Sequence, residues 1–440
     1  MRLNRGELAP FSAVLENENR RSRREFLATG LLAAAAPLGG SGGTAVGLSE
    51  NKFSLSEGAS LQDPKEWDEI RRQFLFAPGT IYLNNASLGS APGPVVEAVQ
   101  QGYRRVSEDP TSAKVELTHV IDNQTRPGLA KLLGVTADEI ALTRNASEGL
   151  KLISEGVSLE PGDEVLTTSH EHPAGINPWL LQAKLRGIAV KEVRVPSPLT
   201  EKGEVVEILQ KEISARTRVL FFCHVTRGGL LYPAKELCAM ARQHGLISAI
   251  DGAQAVGMMP VDLRNLDCDL YAASLHKWVL APMGSGFLYV RKPFQQKFFP
   301  FLLHDTFPAA RNYELIGTFS APVLAAVTSA VEFISRIGPE RIQSRNRMLS
   351  DYLKVQLEET RRTRLVSSRS EEVSACGTTL FEVEGRGGVD IRAEFQMRNI
   401  SVDDHVRDGH DAVRVSTHFY NNKIEINALL GVLRQVINRD

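Results

Sequence analysis

Short segments of apolar and β-branched residues alternate with segments of helical spacing along this 440-residue chain. The apolar segments include RVLFFCHV at 218–225 and LISAIDGAQA at 246–255, and PAKELCAMARQHG at 233–245 has helical spacing between them. Strands that are apolar on both faces need helices on both faces, which is the arrangement of a mainly parallel sheet. The sequence therefore predicts an α/β protein whose larger domain is built on such a sheet.

The pattern changes after about residue 320. Helical spacing at 321–337, 341–360 and 423–438 surrounds three short strand-like segments at 378–385, 399–404 and 412–418. This order predicts a smaller C-terminal α/β domain. The predicted divisions are 1–60 for a signal segment and linker, 61–320 for an N-terminal segment with the large domain, and 321–440 for the small domain.

The N-terminal segment carries paired arginines followed by a short Ala/Leu run, in RRSRREFLATGLLAAAAPLGG. The run is too short to span a bilayer as a helix. Residues 22–27, SRREFL, resemble the twin-arginine export signature, so we expect export to the periplasm. A chance basic tail on a cytoplasmic protein is the alternative. No other segment is apolar enough to predict a membrane span.

Charge and cysteine usage exclude several classes of function. The formal net charge is −1, which gives no basic surface for nucleic acid. The four cysteines are scattered and form no C-x-x-C motif, so neither a disulfide framework nor a zinc site is predicted. We expect these cysteines to be buried as small apolar side chains.

Lys277 is the first candidate for chemistry. It lies between His276 and Trp278 at the end of an apolar segment, in YAASLHKWVLAPMG. A lysine that loses its water becomes a nucleophilic amine, whereas an ordinary lysine at the edge of a core stays charged.

Two further candidates lie at ends of predicted elements. Asp251 ends a buried strand, where a carboxylate needs a cationic partner; the alternatives are a helix cap and a structural ion pair. Ser147 opens a helix in RNASEGL. Free N–H groups and a hydroxyl at a helix start bind anions, although a plain helix cap has the same sequence.

His172 and Arg414 complete the set. His172 follows a strand, in SHEHPAGINPW, where its imidazole would stack on a planar ring; a surface-loop histidine is the alternative. Arg414 lies on an apolar strand, where a half-buried guanidinium binds a carboxylate from a substrate or from an internal acid.

Together these residues supply an amine, an acid, an anion site, a stacking ring and a carboxylate clamp. Pyridoxal phosphate requires this combination, which predicts an enzyme acting on an amino acid or amino compound. A non-catalytic binding protein of the same fold and a lysine Schiff-base enzyme without this cofactor are the competing interpretations.

From about Ile81 to its end, the chain resembles the class V aminotransferase group of fold-type I pyridoxal phosphate enzymes. That group includes cysteine desulfurases, selenocysteine lyases and isopenicillin N epimerase-like proteins. The resemblance rests on IYLNNASLG (81–89), RNASEGL (144–150), EHPAGINPW (171–179), HVTRGGLLYP (224–233), DGAQAVGMMPVDL (251–263), SLHKW (274–278), IGTFSAP (316–322) and VRVSTHFYNN (413–422).

The resemblance implies a role for each residue that matches a family motif. Lys277 would form the Schiff base, Asp251 would contact the pyridine nitrogen, and His172 would stack on the ring. Arg414 would bind the substrate carboxylate. Further cofactor contacts would come from Gln254, at the phenolic oxygen, and from Ser147, Ser274, His276 and Thr318, at the phosphate. Thr318 would reach the phosphate of the neighbouring subunit, which implies a homodimer with shared sites.

The match departs from the desulfurases in one segment. Those enzymes carry a sulfur-accepting cysteine on a mobile loop before the arginine strand, whereas residues 401–416 are short and contain none. Cys376 lies upstream and is predicted to be structural. This counts against a desulfurase-type sulfur relay, but it leaves β-elimination, epimerisation and transamination open.

Several neighbouring residues stay ambiguous at this level. His405 and His410 are either site residues or, by preference, solvated loop histidines. Either Thr226 or Arg227 would contact the cofactor ring. Asn84 and Asn85 are weak candidates for substrate contacts.

Overall fold

The computed structural model describes residues 64–299, 309–314 and 317–439. The predicted signal segment, the twin-arginine motif and the linker lie outside these ranges. The α-helices are α1 Pro64–Arg71, α2 Gly93–Glu108, α3 Pro110–Val120, α4 Arg126–Leu132, α5 Ala146–Gly156, α6 Pro173–Arg186, α7 Gly203–Glu212, α8 Ala234–Gln243, α9 Leu263–Leu266, α10 Ala321–Ile337, α11 Pro339–Glu358, α12 Gly388–Gln396 and α13 Lys423–Ile437.

The strands agree closely with the apolar segments of the sequence. They are β1 Ile81–Tyr82, β2 Ile140–Thr143, β3 Glu164–Thr168, β4 Ala189–Val193, β5 Thr217–Cys223, β6 Ile247–Asp251, β7 Leu270–Ser274, β8 Gly286–Val290, β9 Thr363–Leu365, β10 Thr378–Val383, β11 Ile400–Ser401, β12 Asp403–Arg407 and β13 His410–Ser416. The segment 399–404, expected as one strand, is divided into β11 and the start of β12.

The large sheet has the order β2-β8-β7-β6-β5-β3-β4. All neighbouring strands pair in parallel except β8, which is antiparallel to both β2 and β7. This confirms the predicted α/β architecture with a mainly parallel sheet. The carboxyl ends of β3, β5, β6 and β7 consequently meet at one edge, where ligands of such sheets bind.

Two apolar clusters cover opposite faces of this sheet. Successive residues of β5 belong to different clusters, Phe221 to one and Phe222 to the other, and both are fully buried. Because side chains alternate along a strand, a strand buried on both faces must be apolar at every position. That requirement explains the uninterrupted apolar segments of the sequence.

The C-terminal part forms a second sheet, in the order β12-β13-β10-β9 with antiparallel pairing throughout. Its core includes leucines of α11 and α13, such as Leu353 and Leu430. β1 pairs in parallel with β11, so the segment that starts at Ile81 is joined to this part of the chain. The predicted domain boundary near residue 320 stays a prediction.

The described helices fall short of a membrane span. None of them alone is long and apolar enough, and α10 with α11 meets the criteria only as a pair bent by 73°.

Candidate active site

A cavity of about 180 Å³ opens at the carboxyl edge of the large sheet. It is lined by seven of the predicted site residues: Ser147, His172, Asp251, Gln254, Ser274, His276 and Lys277. They come from the N-termini of two helices and from the ends of two strands and the loops that follow. Parallel pairing of β3, β5, β6 and β7 brings these separate segments to one place.

The amine of Lys277 lies in the wall of this cavity and is largely buried. Burial lowers its pKa from the usual value of lysine, Arg414 and Arg227 lower it further, and Asp251 opposes them. No hydrogen bond or ion pair holds its Nζ among the described residues. Burial therefore makes the neutral, nucleophilic form easier to reach than it is for an exposed lysine, and an amine that attacks a carbonyl requires that form.

The backbone on either side of Lys277 is held by distant segments. Gly89 N donates to His276 O at 2.8 Å, and Asn85 Nδ2 donates to Lys277 O at 3.4 Å. The ring of His418 hydrogen-bonds Trp278 O at 3.0 Å. These contacts fix the position of the lysine backbone from both ends of the chain.

Asp251 lies at the end of β6, almost completely buried. Its Oδ1 accepts a hydrogen bond from Ala253 N at 2.9 Å, and it has no ion-pair partner among the described residues. Burial raises the pKa of its carboxyl, while the Ala253 amide and Lys277 lower it. A buried carboxylate without a cation suits a ligand that brings its own positive nitrogen.

The N-terminus of α5 forms the opposite wall. Asn145 caps this helix by accepting from Glu148 N at 2.9 Å, and Ala146 N donates to Ser274 Oγ at 2.9 Å. The cap expected as the alternative is therefore present. Ser147 and His276 nevertheless line the cavity beside it, so the positive helix end and hydroxyl groups remain available to an anion.

His172 caps α6, and its Nδ1 accepts from Ala174 N at 3.1 Å. Because Nδ1 is an acceptor, the neutral ring carries its proton on Nε2. Burial, and then Lys277, lower the pKa of His172 to about 4, so the imidazole is neutral at pH 7. The structure thus places His172 at the cavity, but its stacking role stays a prediction.

Gln254 is held at both ends of its amide. Its Nε2 donates to Ala86 O at 2.9 Å, and its Oε1 accepts from Trp278 Nε1 at 2.7 Å. The amide is therefore oriented within the cavity wall, next to the segment that carries Lys277.

Arg414 and Thr318 do not line the cavity. Arg414 is 2% exposed on β13, and its Nη2 donates to Asp403 Oδ2 at 2.6 Å, which is the internal ion pair weighed as the alternative. Its charge still lowers the pKa of Lys277, so it is near the site. Thr318 is exposed in the segment before α10, and its contact with a second subunit stays a prediction.

Thr226 and Arg227 differ in their relation to the cavity, and which of them contacts the cofactor ring stays a prediction. The Thr226 hydroxyl is buried and accepts from Leu230 N at 3.0 Å, which closes a turn. Arg227 lines the cavity. Gly229, with φ of +84°, lets the chain reverse directly after it.

Sequence reasoning missed His170 and Glu171. His170 lines the cavity, and its Nδ1 is 2.7 Å from Tyr232 Oη; burial lowers its pKa to about 4. The spacing of His170 and His172 was the available signal, because residues two apart at a strand end project to the same side. Glu171 is buried, and burial raises its pKa to about 8.

The remaining ambiguous residues are structural neighbours. His405 and His410 lie on β12 and β13 with buried side chains, so their interpretation as solvated loop histidines is wrong, and neither lines the cavity. Asn85 is fully buried and accepts from Tyr420 Oη at 3.0 Å. Asn84 Oδ1 accepts from Arg414 Nη2 at 3.3 Å.

Comparison with protein families matches residues 81–434 to Aminotransferase class-V. The chain belongs to the class V aminotransferase family. Isopenicillin N epimerase of Amycolatopsis lactamdurans, a class V relative, is 32% identical over 393 residues, covering 84% of this chain and 98% of the relative. The apo cysteine desulfurase from Thermococcus onnurineus NA1 has a TM-score of 0.77 at 25% identity, covering 87% of this chain and 100% of that one. A C-DES variant with glycine covalently linked to its pyridoxal phosphate has a TM-score of 0.77 at 24% identity, covering 83% and 98%.

The residues of the cavity fit pyridoxal phosphate. They offer an unpaired amine of lowered pKa, a buried carboxylate without a cation, and a helix N-terminus with two serines beside it. When bound, this cofactor supplies an aldehyde for the amine and a ring that withdraws electrons from the substrate. This class V chain is a pyridoxal phosphate-dependent enzyme that acts at the α-carbon of an amino acid.

Proposed function

We propose that this enzyme is an epimerase that inverts the configuration at the α-carbon of its amino acid substrate. The observation that carries the proposal is a cavity lined by a lysine amine and two neutral imidazoles, in which the one cysteine among the described lining residues, Cys223, is buried. Lys277 enters it from the loop after β7, while His170 and His172 enter from the loop after β3. Similarity to isopenicillin N epimerase supports the same reaction.

The cysteines argue against a sulfur relay. Cys223, Cys238, Cys268 and Cys376 are all buried, and burial raises the pKa of each thiol. A sulfur acceptor must be an accessible thiolate. Residues 401–416, where a desulfurase carries its mobile loop, instead form β11 and the hairpin of β12 with β13.

Inversion needs a base on one face of the α-carbon and a proton donor on the other. The lowered pKa of Lys277 lets its amine take the α-proton. His170 and His172 each have a pKa of about 4, so at pH 7 their neutral rings accept a proton from solvent and pass it on as imidazolium. The proposal assigns removal of the α-proton to Lys277 and its return on the opposite face to one of these histidines.

Proton exchange in D₂O tests this assignment. The cofactor-loaded enzyme would be incubated with a panel of L-amino acids and with isopenicillin N, the substrate named by its relative. NMR would follow loss of the α-hydrogen, and chiral chromatography would follow the enantiomers. We expect exchange with inversion for the parent, and exchange without inversion for His170→Gln or His172→Gln. His244→Gln, at an exposed histidine on another surface, is the matched control.

Other products would support other reactions. Pyruvate with a released thiol would identify a lyase, the second candidate, which Lys277 would also serve and which the fold shared with a cysteine desulfurase favours. A 2-keto acid with an aminated cofactor would identify an aminotransferase. Either result without inversion would overturn the epimerase proposal.

We also propose that the protein is exported through the twin-arginine route. The support is the SRREFL motif at 22–27, followed by a short Ala/Leu run. Replacing Arg23 and Arg24 by lysine is expected to leave the precursor in the cytoplasm, measured by cell fractionation and by the mass of the N-terminus. An intact N-terminus in the cytoplasm of cells making the unaltered protein would contradict export.

A further inference from the structure

A single carboxylate lies between two guanidinium groups beside the cavity. Asp403 Oδ2 accepts from Arg414 Nη2 at 2.6 Å, from Arg227 Nη2 at 3.0 Å and from Ser87 Oγ at 3.0 Å. Asp403 opens β12 and is the cross-strand partner of Arg414 on β13. One oxygen therefore serves two cations.

The two guanidinium groups differ in their surroundings. Arg414 is 2% exposed, and its Nε is buried without a hydrogen bond. Arg227 is more accessible and lines the cavity together with Lys277. A buried guanidinium requires an anion, and Asp403 supplies it in this structure.

Arg227, Arg414 and Asp403 together carry one more positive charge than negative, so a second anion can be bound. Two arginines share one carboxylate here, and both lie near enough to Lys277 to lower its pKa. An incoming carboxylate would restore equality between cations and anions. Arg414 could then bind it while Asp403 stays with Arg227, so no charge would be left unpaired.

We propose that Asp403 is a specificity-determining residue that holds the Arg414 guanidinium until the α-carboxylate of the substrate replaces it. This rests on the proposed role of Arg414 in binding that carboxylate. Because Asp403 competes for Arg414, a ligand must carry a full carboxylate to displace it. A second acidic group close to the reacting carbon would add an unbalanced anion, so the site selects substrates with one carboxylate there.

Binding of propionate, a carboxylate without an amine, tests the exchange. Isothermal titration calorimetry would compare the cofactor-loaded parent with Asp403→Asn, which keeps the shape of the side chain and removes its charge. We expect propionate to bind the variant about tenfold more tightly, and the KM of the amino acid substrate to fall more than kcat changes. Asp403→Ser is expected to act in the same direction if Asp403→Asn folds poorly.

Asp404→Asn is the matched control. Asp404 is adjacent and pairs through Oδ1 with Arg392 Nη1 at 2.8 Å, and the same Nη1 is 4.0 Å from Asp403 Oδ1. The variant therefore removes the same charge but keeps the contacts of Asp403 Oδ2 with Arg414 and Arg227. We expect its propionate affinity to equal that of the parent. Equal gains in both variants would mean a general charge effect and would overturn the proposal.

Two further outcomes separate this inference from its premise. In the first outcome, Arg414→Gln abolishes the binding of propionate, but Asp403→Asn weakens it or leaves it unchanged. Asp403 then only positions Arg414, and the inference is wrong. If Arg414→Gln binds propionate like the parent, Arg414 is not the carboxylate site, and both the inference and the role proposed for Arg414 fail.

Discussion

At the scale of single residues, burial is the common cause of the chemistry in this site. It disfavours the charged form of every group, so it lowers the pKa of Lys277, His170 and His172 and raises that of Asp251. Neutral amines and imidazoles are the forms that attack carbonyls and exchange protons. The apolar environment thus prepares reactive groups that would be charged or inert in water.

Replacing Lys277 by alanine removes the only lysine amine that lines the described cavity. We expect the cofactor-loaded protein to lose the absorbance band of the lysine Schiff base and kcat to fall by roughly 10²- to 10⁴-fold, since an amine acting as acid and base contributes that much. Visible absorbance and steady-state kinetics would measure both. Lys114→Ala, at an exposed lysine on α3, is the control. An unchanged kcat in Lys277→Ala would mean that Lys277 is not the reactive amine.

At the scale of elements, the site depends on a close approach between the segment after β1 and the loop after β7. A Cβ placed on Gly89 would lie 1.9 Å from Lys277 O and 2.8 Å from Leu280 Cδ2. Only glycine permits this approach, and its N–H also donates to His276 O. The loop that carries the lysine is therefore held by a residue nearly 190 positions earlier.

Gly89→Ala should consequently reduce both stability and activity. We expect a loss of roughly 1–3 kcal/mol, because the overlap must be relieved by moving the backbone near Lys277, and a lower kcat for the same reason. Gly431→Ala, inside α13, is the matched control, because no heavy atom lies within 4 Å of the added Cβ. Since alanine favours a helix over glycine, we expect stability to rise by roughly 0.5–1 kcal/mol. Urea unfolding measures both changes; equal effects would contradict the packing argument.

A buried lysine on α11, outside the site, makes the stability of the folded protein depend on pH. Lys354 Nζ donates to Ser374 Oγ at 2.9 Å and to Ser368 O at 3.2 Å, and burial lowers its pKa to about 8. Between about pH 8 and 10.5 the unfolded chain keeps this proton while the folded chain has released it. Stability from this group therefore rises with pH across that window, by up to roughly 3 kcal/mol.

Lys354→Met should remove that slope. Urea unfolding at pH 7.5 and pH 10 would give the free energy of unfolding of the parent and of the variant. The titration of all other groups cancels in the difference between the two proteins. We expect the advantage of the parent to grow as the pH rises. Lys114→Met should show no such change, and a difference independent of pH would mean that Lys354 titrates normally when folded.

At the scale of the whole molecule, exposed apolar side chains gather around the start of α10. Tyr103, Met283 and Phe319 are 49%, 70% and 38% exposed, and Tyr103 Oη lies 2.8 Å from Ser320 Oγ. Exposed apolar groups that cluster in this way mark contacts between proteins. Thr318, predicted to reach a neighbouring subunit, lies in the same segment.

We expect the protein to sediment at twice the mass of one chain. Phe319→Asp with Met283→Asp should shift it towards the monomer, because charges in an apolar interface lose their water without gaining partners. Analytical ultracentrifugation measures the mass, and loss of activity in parallel would indicate shared sites. Leu185→Asp, at an exposed apolar residue of α6, is the control. A monomer in the unaltered protein would overturn the dimer proposal.

Much of this arrangement was predictable because it depends on local patterns. Apolar segments such as 218–225 predicted buried parallel strands, and polar residues at their ends predicted where Asp251 and Lys277 lie. The partners of a residue were harder to predict. For Arg414 the sequence left open a carboxylate from a substrate or from an internal acid, and the ion pair with Asp403 arises from the register between β12 and β13.

The sequence by itself determined the order of strands and helices, the family, the cofactor and the residues available for chemistry. These follow from hydrophobic periodicity and from motifs, which are written within short segments. Only the tertiary structure decided that Arg227 rather than Thr226 lines the cavity, that His170 joins it, and that Asp403 holds Arg414. Such choices depend on contacts between segments far apart in the chain, whose energies no local pattern encodes.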